Sequence, residues 1–175
     1  MVCGLLLLGG LVASAQTAPA KEYQVKAVFL FNFAQFVEWP PTAFAGASSP
    51  IVIGVLGENP FGEYLDETVR GEKVGNRPLE VQHYLQVDEI KTCHVLFVSR
   101  PEARRLEQIL VSLKNRSVLI VGDGDDFVQR GGMIRLATAQ SRIRLIVNVE
   151  AAKAANLTIS SKLLRSAEVM TASTK

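Results

Sequence analysis

The sequence predicts a single α/β domain with a mixed, mostly parallel β-sheet that is flanked by helices on both faces. Short apolar runs typical of buried strands alternate with helical segments, and this alternation favours parallel crossovers with a covered sheet. Near the end of the chain, two β-rich runs at 133–137 and 142–149 are separated only by residues 138–141. This short connection predicts an antiparallel C-terminal pair.

The first helix is predicted over residues 21–38, because apolar side chains recur there with i, i+3, i+4, i+7 spacing. These apolar positions are 25, 28, 29, 33, 36 and 37. Pro40 and Pro41 end the helix, since proline lacks an amide donor and restricts the residue before it. The other predicted elements are a buried strand at 51–56, a helix at 61–69, an edge strand at 79–83, a helical turn at 87–91, a buried strand at 95–99, a helix at 101–113, a strand at 118–121, the C-terminal pair, and one or two helices at 150–169.

Gly131 and Gly132 directly precede the first strand of the C-terminal pair. Glycine adopts positive φ without a steric penalty and can therefore turn the chain sharply. We expect at least one of the two glycines to have φ > 0.

The N-terminus predicts a cleaved signal peptide over residues 1–15. An apolar stretch at 5–12 precedes Ala13-Ser14-Ala15, which has the small-residue pattern of a cleavage site, although no Lys or Arg precedes the stretch. A transmembrane anchor is the alternative, but the run is too short to span a bilayer. We therefore expect a flexible tail at 16–20, one domain at 21–170 and a flexible C-terminus at 171–175.

The charge and cysteine content narrow the classes of function. The net charge is +2 and unclustered, which favours neither a nucleic-acid partner nor direct insertion into a membrane. Cys3 leaves with the signal peptide, so Cys93 stands alone and no intramolecular disulfide is possible. We expect Cys93 to be a small buried hydrophobe, whereas an exposed thiol would suit an intermolecular disulfide or a redox sensor.

Three carboxylates, Asp123, Asp125 and Asp126, follow the strand at 118–121. They could hold Mg²⁺ or Ca²⁺, but a calcium-loop pattern is absent. Capping of a short helix, or a turn role, is the simpler interpretation. His83 and His94 are too few for a zinc site, so no metal is expected.

The remaining patterns give no sign of an enzyme or a cofactor. The glycines at 54, 57 and 62 are wrongly spaced for a dinucleotide loop. Cys93 and His94 cannot form a dyad, because neighbours in a strand point to opposite faces. No catalytic residues are predicted.

Aromatic and arginine side chains are the candidate partner-binding residues. The first helix carries aromatic residues around its whole circumference, which indicates either a central core helix or an interface. The last third concentrates arginines, which suit a charged partner surface or an anion pocket, and Arg135 and Arg144 could share one sheet face. The candidates are Phe31, Phe33, Trp39, Arg130, Arg135 and Arg144.

Several blocks of the sequence, in order, resemble the YfiR family. The blocks are EYQVKAVFLFNFA at 22–34, VEWP at 37–40, GVLGENPFG at 54–62, RPL at 77–79, CHVLFVS at 93–99, GD at 122–123, FVQRGGMI at 127–134 and SSKLL at 160–164. Each block alone is weak, but together they cover nearly the whole predicted mature chain.

The resemblance implies a non-catalytic periplasmic regulator without a cofactor. Such a protein would bind the periplasmic domain of an inner-membrane diguanylate cyclase and hold the enzyme inactive, and its release would raise cyclic di-GMP and favour biofilm growth. A homodimer is expected, with the first helix as a candidate surface. The alternative is a periplasmic protein that binds a small anion for a sensor kinase or a transporter.

Overall fold

A computed structural model describes residues 18–170. The predicted signal peptide at 1–15, residues 16 and 17 of the predicted tail and the C-terminus at 171–175 lie outside the described residues, whereas residues 18–20, predicted as tail, begin the first helix. The helices are α1 (Ala18–Phe36), α2 (Tyr64–Val69), α3 (Leu106–Ser112), α4 (Val149–Ala154) and α5 (Ser161–Leu164). The strands are β1 (Val37–Glu38), β2 (Ile51–Leu56), β3 (Lys73–Val74), β4 (Arg77–Tyr84), β5 (Val95–Val98), β6 (Leu119–Gly122), β7 (Ile134–Ala139), β8 (Arg142–Val147), β9 (Thr158–Ile159) and β10 (Ala167–Val169).

Eight strands form one mixed sheet in the order β10-β8-β7-β6-β5-β2-β4-β3. The five central strands, from β4 to β7, are parallel, while β3 pairs antiparallel with β4. The predicted C-terminal pair is confirmed, because β7 and β8 pair antiparallel. The edge strand β10 runs parallel to β8. The predicted α/β class with a mostly parallel sheet is therefore confirmed.

The central strands are buried along their whole length, which explains their continuous apolar sequences. Every residue of β2, β5 and β6 is buried. Gly54 in β2 is required by close packing, because a Cβ there would lie 2.7 Å from the Tyr84 ring and 2.8 Å from Cys93 Sγ. Sheets buried on both sides favour such uninterrupted apolar strands.

The two faces of the sheet carry different layers. Asp123, which follows β6, bonds to side chains of α1, whereas a Cβ on Gly122 would lie 2.3 Å from the Phe127 ring. Successive strand residues point to opposite faces, so α1 and the 124–132 segment cover opposite faces. A Cβ on Gly131 would touch Leu110 of α3. Hence α3 lies with that segment, across the sheet from α1.

The buried stripe of α1 matches only in part the one that the apolar spacing predicts. Lys26, Leu30, Phe33 and Val37 are at most 4% exposed, and their spacing of four, three and four residues marks one helical face. Val25 and Val28, which the pattern assigned to the buried face, lie on the outside and are 46% and 40% exposed. The predicted set included Phe33 and Val37 but omitted Leu30, and a count of apolar residues cannot include Lys26.

The C-terminal region differs from the one or two helices predicted at 150–169. It contains two short helices, each with a side-chain cap: Asn148 accepts from the Ala151 amide before α4, and Ser160 accepts from the Leu163 amide before α5. Between them, β9 pairs with β1, and β10 adds to the main sheet. These strands are only two or three residues long, too short for a periodic signal.

Gly131 has φ of 100°, which confirms the predicted positive φ in the glycine pair. Gly132 is required for a different reason, since a Cβ there would lie 2.3 Å from the Phe127 ring. Within residues 18–170, no helix combines the length and apolar character needed to cross a membrane.

Candidate functional site

Two clusters of polar and aromatic side chains lie near the two ends of α1. One is at the carboxyl ends of the central strands, called the carboxyl edge below, and the other is at their amino ends, called the amino edge. The N-terminal half of α1 contacts the carboxyl edge, where Asp123 follows β6. Just beyond α1, Trp39 reaches the amino edge, where His94 precedes β5. The helix therefore crosses one sheet face from edge to edge.

The carboxyl-edge cluster consists of Glu22, Tyr23, Lys26, Arg100 and Asp123. Lys26 is fully buried, and its Nζ lies 2.5 Å from both Glu22 Oε1 and Asp123 Oδ2. The Tyr23 hydroxyl donates to Asp123 Oδ2 at 2.9 Å, and Arg100 Nε donates to Asp123 Oδ1 at 3.2 Å. Two cations thus face two carboxylates, so the cluster is neutral overall.

The surroundings of this cluster shift several ionisation equilibria. Partial burial raises the pKa of Glu22, but bonds from Lys26 and Thr138 outweigh it, so this pKa lies below its ordinary value. Burial and the Asp123 charge raise the pKa of Tyr23. The Asp123 charge also raises the pKa of Arg100. The tyrosine therefore stays a neutral donor, and the arginine stays charged.

A crevice of about 290 Å³ opens beside this cluster, at the carboxyl ends of β5 and β6. Doubly wound sheets bind ligands outside the carboxyl ends of their strands, where the strand order reverses. Here the order reverses at β2, but Glu102 and Ser99 pack against Gly57 and fill that position. The crevice therefore lies beside β5 and β6, one strand away from the point where the strand order reverses. Its charged lining residues are Arg100, Arg104, Asp123, Asp125, Asp126 and Arg130.

Of the two roles predicted for the aspartates that follow β6, a helix cap or a turn, the structure shows the turn for Asp125 and Asp126. Asp123 joins the buried cluster, Asp125 pairs with Arg135, and Asp126 lies 3.8 Å from Arg130. Turns, and no helix, follow at 125–131. Among residues 18–170, no three His, Cys, Asp or Glu side chains are grouped as metal ligands would be.

The amino-edge cluster consists of Trp39, Phe44, Arg77 and His94. The Trp39 indole Nε1 donates to the backbone oxygen of His94 at 3.2 Å. The Phe44 ring stacks on the His94 ring with centroids 4.6 Å apart, and the Arg77 guanidinium carbon lies over the Phe44 ring, 3.5 Å from its centroid. Arg77 also donates to the backbone oxygens of residues 46 and 49. The cluster thus holds the 40–50 loop against the sheet.

Cys93 lies beside this cluster and is buried, as predicted. Its Sγ donates to the Val95 oxygen at 3.2 Å. Burial raises the pKa of its thiol to about 12. The thiolate needed for redox chemistry is therefore scarce at neutral pH.

The structure separates the predicted aromatic candidates. Phe33 is fully buried in the core, so its inclusion among the partner-binding residues is corrected: its ring lies under α1 and cannot contact another protein in this conformation. Phe31 and Trp39 are half-buried. Phe31 lies about 60° around the helix from the exposed Val28, whereas Trp39 belongs to the amino-edge cluster.

The predicted arginines do not join the aromatic residues. Arg135 aligns with Gly122 and Arg144 with Ala137, so both arginines lie on the sheet face opposite α1, and their predicted shared face is confirmed. Arg135 pairs with Asp125, and Arg130 binds both oxygens of Glu107 at 2.8 Å. Arg144 is exposed and forms no ion pair within residues 18–170.

The carboxyl-edge cluster is the feature that the sequence interpretation missed. A usable signal existed, because Lys26 shares a helical face with Leu30, Phe33 and Val37. A lysine in an otherwise buried stripe requires an acidic partner. The partner, Asp123, lies 97 residues away in sequence, and the sequence alone does not say which carboxylate reaches it.

The described residues form a single α/β domain, and no catalytic arrangement is visible among them. The family follows from a comparison of the sequence with known families. Residues 23–168 match the YfiR/HmsC-like family, so the chain belongs to that family. Proteins of this family are periplasmic and regulatory, not catalytic, and membership indicates a regulator of cyclic di-GMP signalling. No curated protein matches the chain.

Eight chains of solved structures match this fold. One is the ABC domain in complex with L-Trp from Streptococcus pneumoniae, with a TM-score of 0.54 and 13% sequence identity. The match covers 81% of this chain and 59% of that one. At this identity the likeness concerns the fold alone.

Proposed function

We propose that this protein represses a membrane-bound diguanylate cyclase by binding the periplasmic domain of that enzyme. The observation that carries the proposal is the match to the YfiR/HmsC-like family over residues 23–168. Release of the protein would then raise cyclic di-GMP and favour biofilm growth. We further propose that the mature chain begins near Gln16, after removal of a signal peptide, and acts as a homodimer.

The outer face of α1, formed by Val25, Val28 and Phe31, is the proposed docking surface. Val25 and Val28 are 46% and 40% exposed, and Phe31 is half-buried beside them. Apolar side chains grouped on one helix face lower the free energy of association when a partner covers them. The partner is expected to present an apolar groove or helix face of its own.

Repression by this route is a linked equilibrium. A bound regulator shifts the cyclase toward the inactive state only by the difference between its affinities for the two states. A signal that changes how α1 is held would therefore change repression without any chemistry on the regulator. The two clusters at the ends of α1 fix that position.

The substitution Val28→Glu tests the docking surface. A carboxylate at the interface must be desolvated, so we expect affinity for the cyclase's periplasmic domain to fall about tenfold or more. Val28 is exposed on the free protein, so folding should be preserved. Calorimetry with the purified periplasmic domain measures the affinity, and circular dichroism checks the fold.

Val111→Glu is the matched control, because Val111 is an exposed helical valine that is 73% exposed on α3, across the sheet from α1. This variant should bind like the wild type. Equal affinity for all three proteins would show that α1 is not the docking surface. No binding by the wild type to any candidate cyclase domain would refute the proposed function itself.

The crevice at the carboxyl edge favours a second candidate, the binding of a small anion for a sensor kinase or transporter. Arg100 keeps 62% of its side chain exposed, and Arg104 is exposed on the same wall. Guanidinium groups bind carboxylates and phosphates through paired hydrogen bonds. A panel of carboxylates and phosphates in a thermal-shift assay, repeated on Arg104→Gln, tests this. No shift with any anion would remove this candidate.

A further inference from the structure

The ring of His94 is held in one neutral form by two backbone groups. Nδ1 accepts the amide hydrogen of Val52 at 3.0 Å, so that nitrogen carries no proton. Nε2 lies 3.2 Å from the Ala43 oxygen and therefore donates its hydrogen there. The ring bridges β2 and the 40–50 loop, and the residue is only 1% exposed.

A second proton on this ring would disrupt both attachments. It would sit on Nδ1 and face the Val52 amide hydrogen, so two donors would oppose each other. The Arg77 guanidinium over the Phe44 ring adds a positive charge nearby. Burial, and then Arg77, lower the pKa of His94 below its ordinary value of 6.5, although the bond to Ala43 opposes them. The charged ring is therefore unstable where it now lies.

A cavity of about 260 Å³ beside the ring offers it another position. Its lining includes His94, Phe44, Gln82 and the exposed carboxylate of Glu80. Within ion-pair distance of the ring in its present position, the described residues contain no carboxylate. An imidazolium that turned into the cavity would gain both water and a negative partner.

The other elements around His94 bring few competing charges. The 40–50 loop and β2 contain no titratable side chain. From β4 come Arg77, Glu80 and Tyr84, and burial raises the pKa of Tyr84 to about 12, so its hydroxyl stays neutral. The preceding residue in the chain, Cys93, has a thiol that stays neutral because burial raises its pKa. The remaining charged groups in the vicinity are Glu38 beside Trp39, and Lys91 and Arg116 in a separate cavity beyond Thr92.

We propose that His94 is a pH-sensitive switch that releases the 40–50 loop when the ring is protonated. The ring turns toward Glu80, the bonds to Val52 and Ala43 break, and the stack with Phe44 is lost. Because the Trp39 ring packs edge-on against the His94 ring, the turn also removes a contact that holds the chain just after α1. The switch acts below about pH 6.5 and rests on this geometry, independently of the proposed partner.

The chain itself supplies the reporter, because Trp39 is its only tryptophan and its indole lies 6.0 Å from the His94 ring. Titration of the wild type from about pH 7.5 to 4.5 should change Trp39 fluorescence in one step while the far-ultraviolet circular dichroism stays constant. Over the same range, amide exchange of residues 42–49, corrected for intrinsic rates, should rise about tenfold or more.

Three variants identify the titrating group. His94→Asn keeps an acceptor for the Val52 amide but cannot titrate, so its fluorescence step should vanish. His83→Gln removes the only other histidine, which is exposed beside Asp66, and should keep the step. Glu80→Gln removes the carboxylate that receives the charged ring, so its midpoint should move to lower pH.

A fluorescence step that survives in His94→Asn, or that coincides with loss of circular dichroism, would overturn the switch. If His94→Asn does not fold, imidazole NMR of the wild type decides. A His94 titration that coincides with the fluorescence step supports the proposal, and a His94 that stays neutral throughout the range overturns it. If Glu80→Gln leaves the midpoint of the fluorescence titration unchanged, the ring does not turn toward Glu80.

Discussion

The two ends of α1 are attached to the same sheet by opposite kinds of chemistry. At the carboxyl edge, Lys26 and Asp123 are buried as charged groups and stabilised by each other. At the amino edge, Trp39 and His94 are held by aromatic contacts and backbone hydrogen bonds, with the imidazole neutral. One end is stable because charges are present, and the other because a charge is absent.

This difference determines how each end can respond to its surroundings. A buried ion pair contributes little net stability, since desolvation offsets attraction, but removal of one partner is costly. The carboxyl end is therefore expected to hold its position over a wide pH range. The amino end depends on a neutral imidazole that protonation would disrupt, and burial lowers the pKa of His94 below 6.5, so it is the end at which α1 can be regulated by acid.

Breaking the carboxyl end should produce the largest effect. Lys26→Met leaves Asp123 and Glu22 without their buried cation, so we expect a loss of about 3–5 kcal/mol in the free energy of unfolding. Urea denaturation measures it. Lys26→Met combined with Asp123→Asn should recover part of the loss, because the excess negative charge of the cluster is then removed.

Lys153→Met is the matched control for this prediction. Lys153 forms an ion pair at 3.0 Å with Glu150, but both side chains are more than 60% exposed. Exposed pairs of this kind contribute less than about 1 kcal/mol. Similar losses in the two lysine variants would show that burial of Lys26 does not matter, and would remove the contrast between the two ends.

Breaking the amino end should lower the free energy of unfolding by less than breaking the carboxyl end, because no buried charge is left unpaired. Phe44→Leu keeps an apolar side chain but loses the stack on His94 and the cation–π contact with Arg77. We expect a loss of about 1–2 kcal/mol in the free energy of unfolding. The loss should shrink at pH values where His94 is protonated. A loss that stays constant through the His94 titration would contradict the role of the neutral ring.

The sequence predicted the parts of the fold that have a local signal. The strands at 51–56 and 95–98 were predicted almost to the residue, because buried apolar runs are distinctive. The edge strands β3 and β10 and the separate β1–β9 pair were missed, since these four strands are two or three residues long. The strand at 79–83, predicted to be an edge, is therefore not one, because β3 pairs with β4. Their pairing depends on partners far away in sequence, and no periodic pattern fits in so few residues.

The candidate site was harder to predict for the same reason. Trp39 was predicted as a partner-binding residue, which stays a prediction; its contact with His94, which joins residues 55 positions apart, was not foreseen. Phe33 was misassigned, because helical spacing shows which residues share a face and not which face is covered. The structure resolves this, since Lys26 and Phe33 lie on the covered side.

The smallest predicted effect is a change in the free energy of unfolding whose pH dependence distinguishes the two ends of α1. Glu22 has a pKa below its ordinary value of 4.5 in the folded protein, so its contribution is present above pH 4.5 and lost as the pH falls through the folded-state pKa. His94 has a lowered pKa, so stability at the amino end is lost as the pH falls below 6.5.

We expect Glu22→Gln to cost about 0.5–1 kcal/mol in the free energy of unfolding at neutral pH, because Glu22 is an i, i+4 partner of Lys26. Urea denaturation at a series of pH values should show this difference unchanged between pH 6.5 and 5 and reduced only below 4.5. A difference that already shrinks between pH 6.5 and 5 would mean that the carboxyl end responds to the same protons as His94, and the two ends of α1 would then act as one.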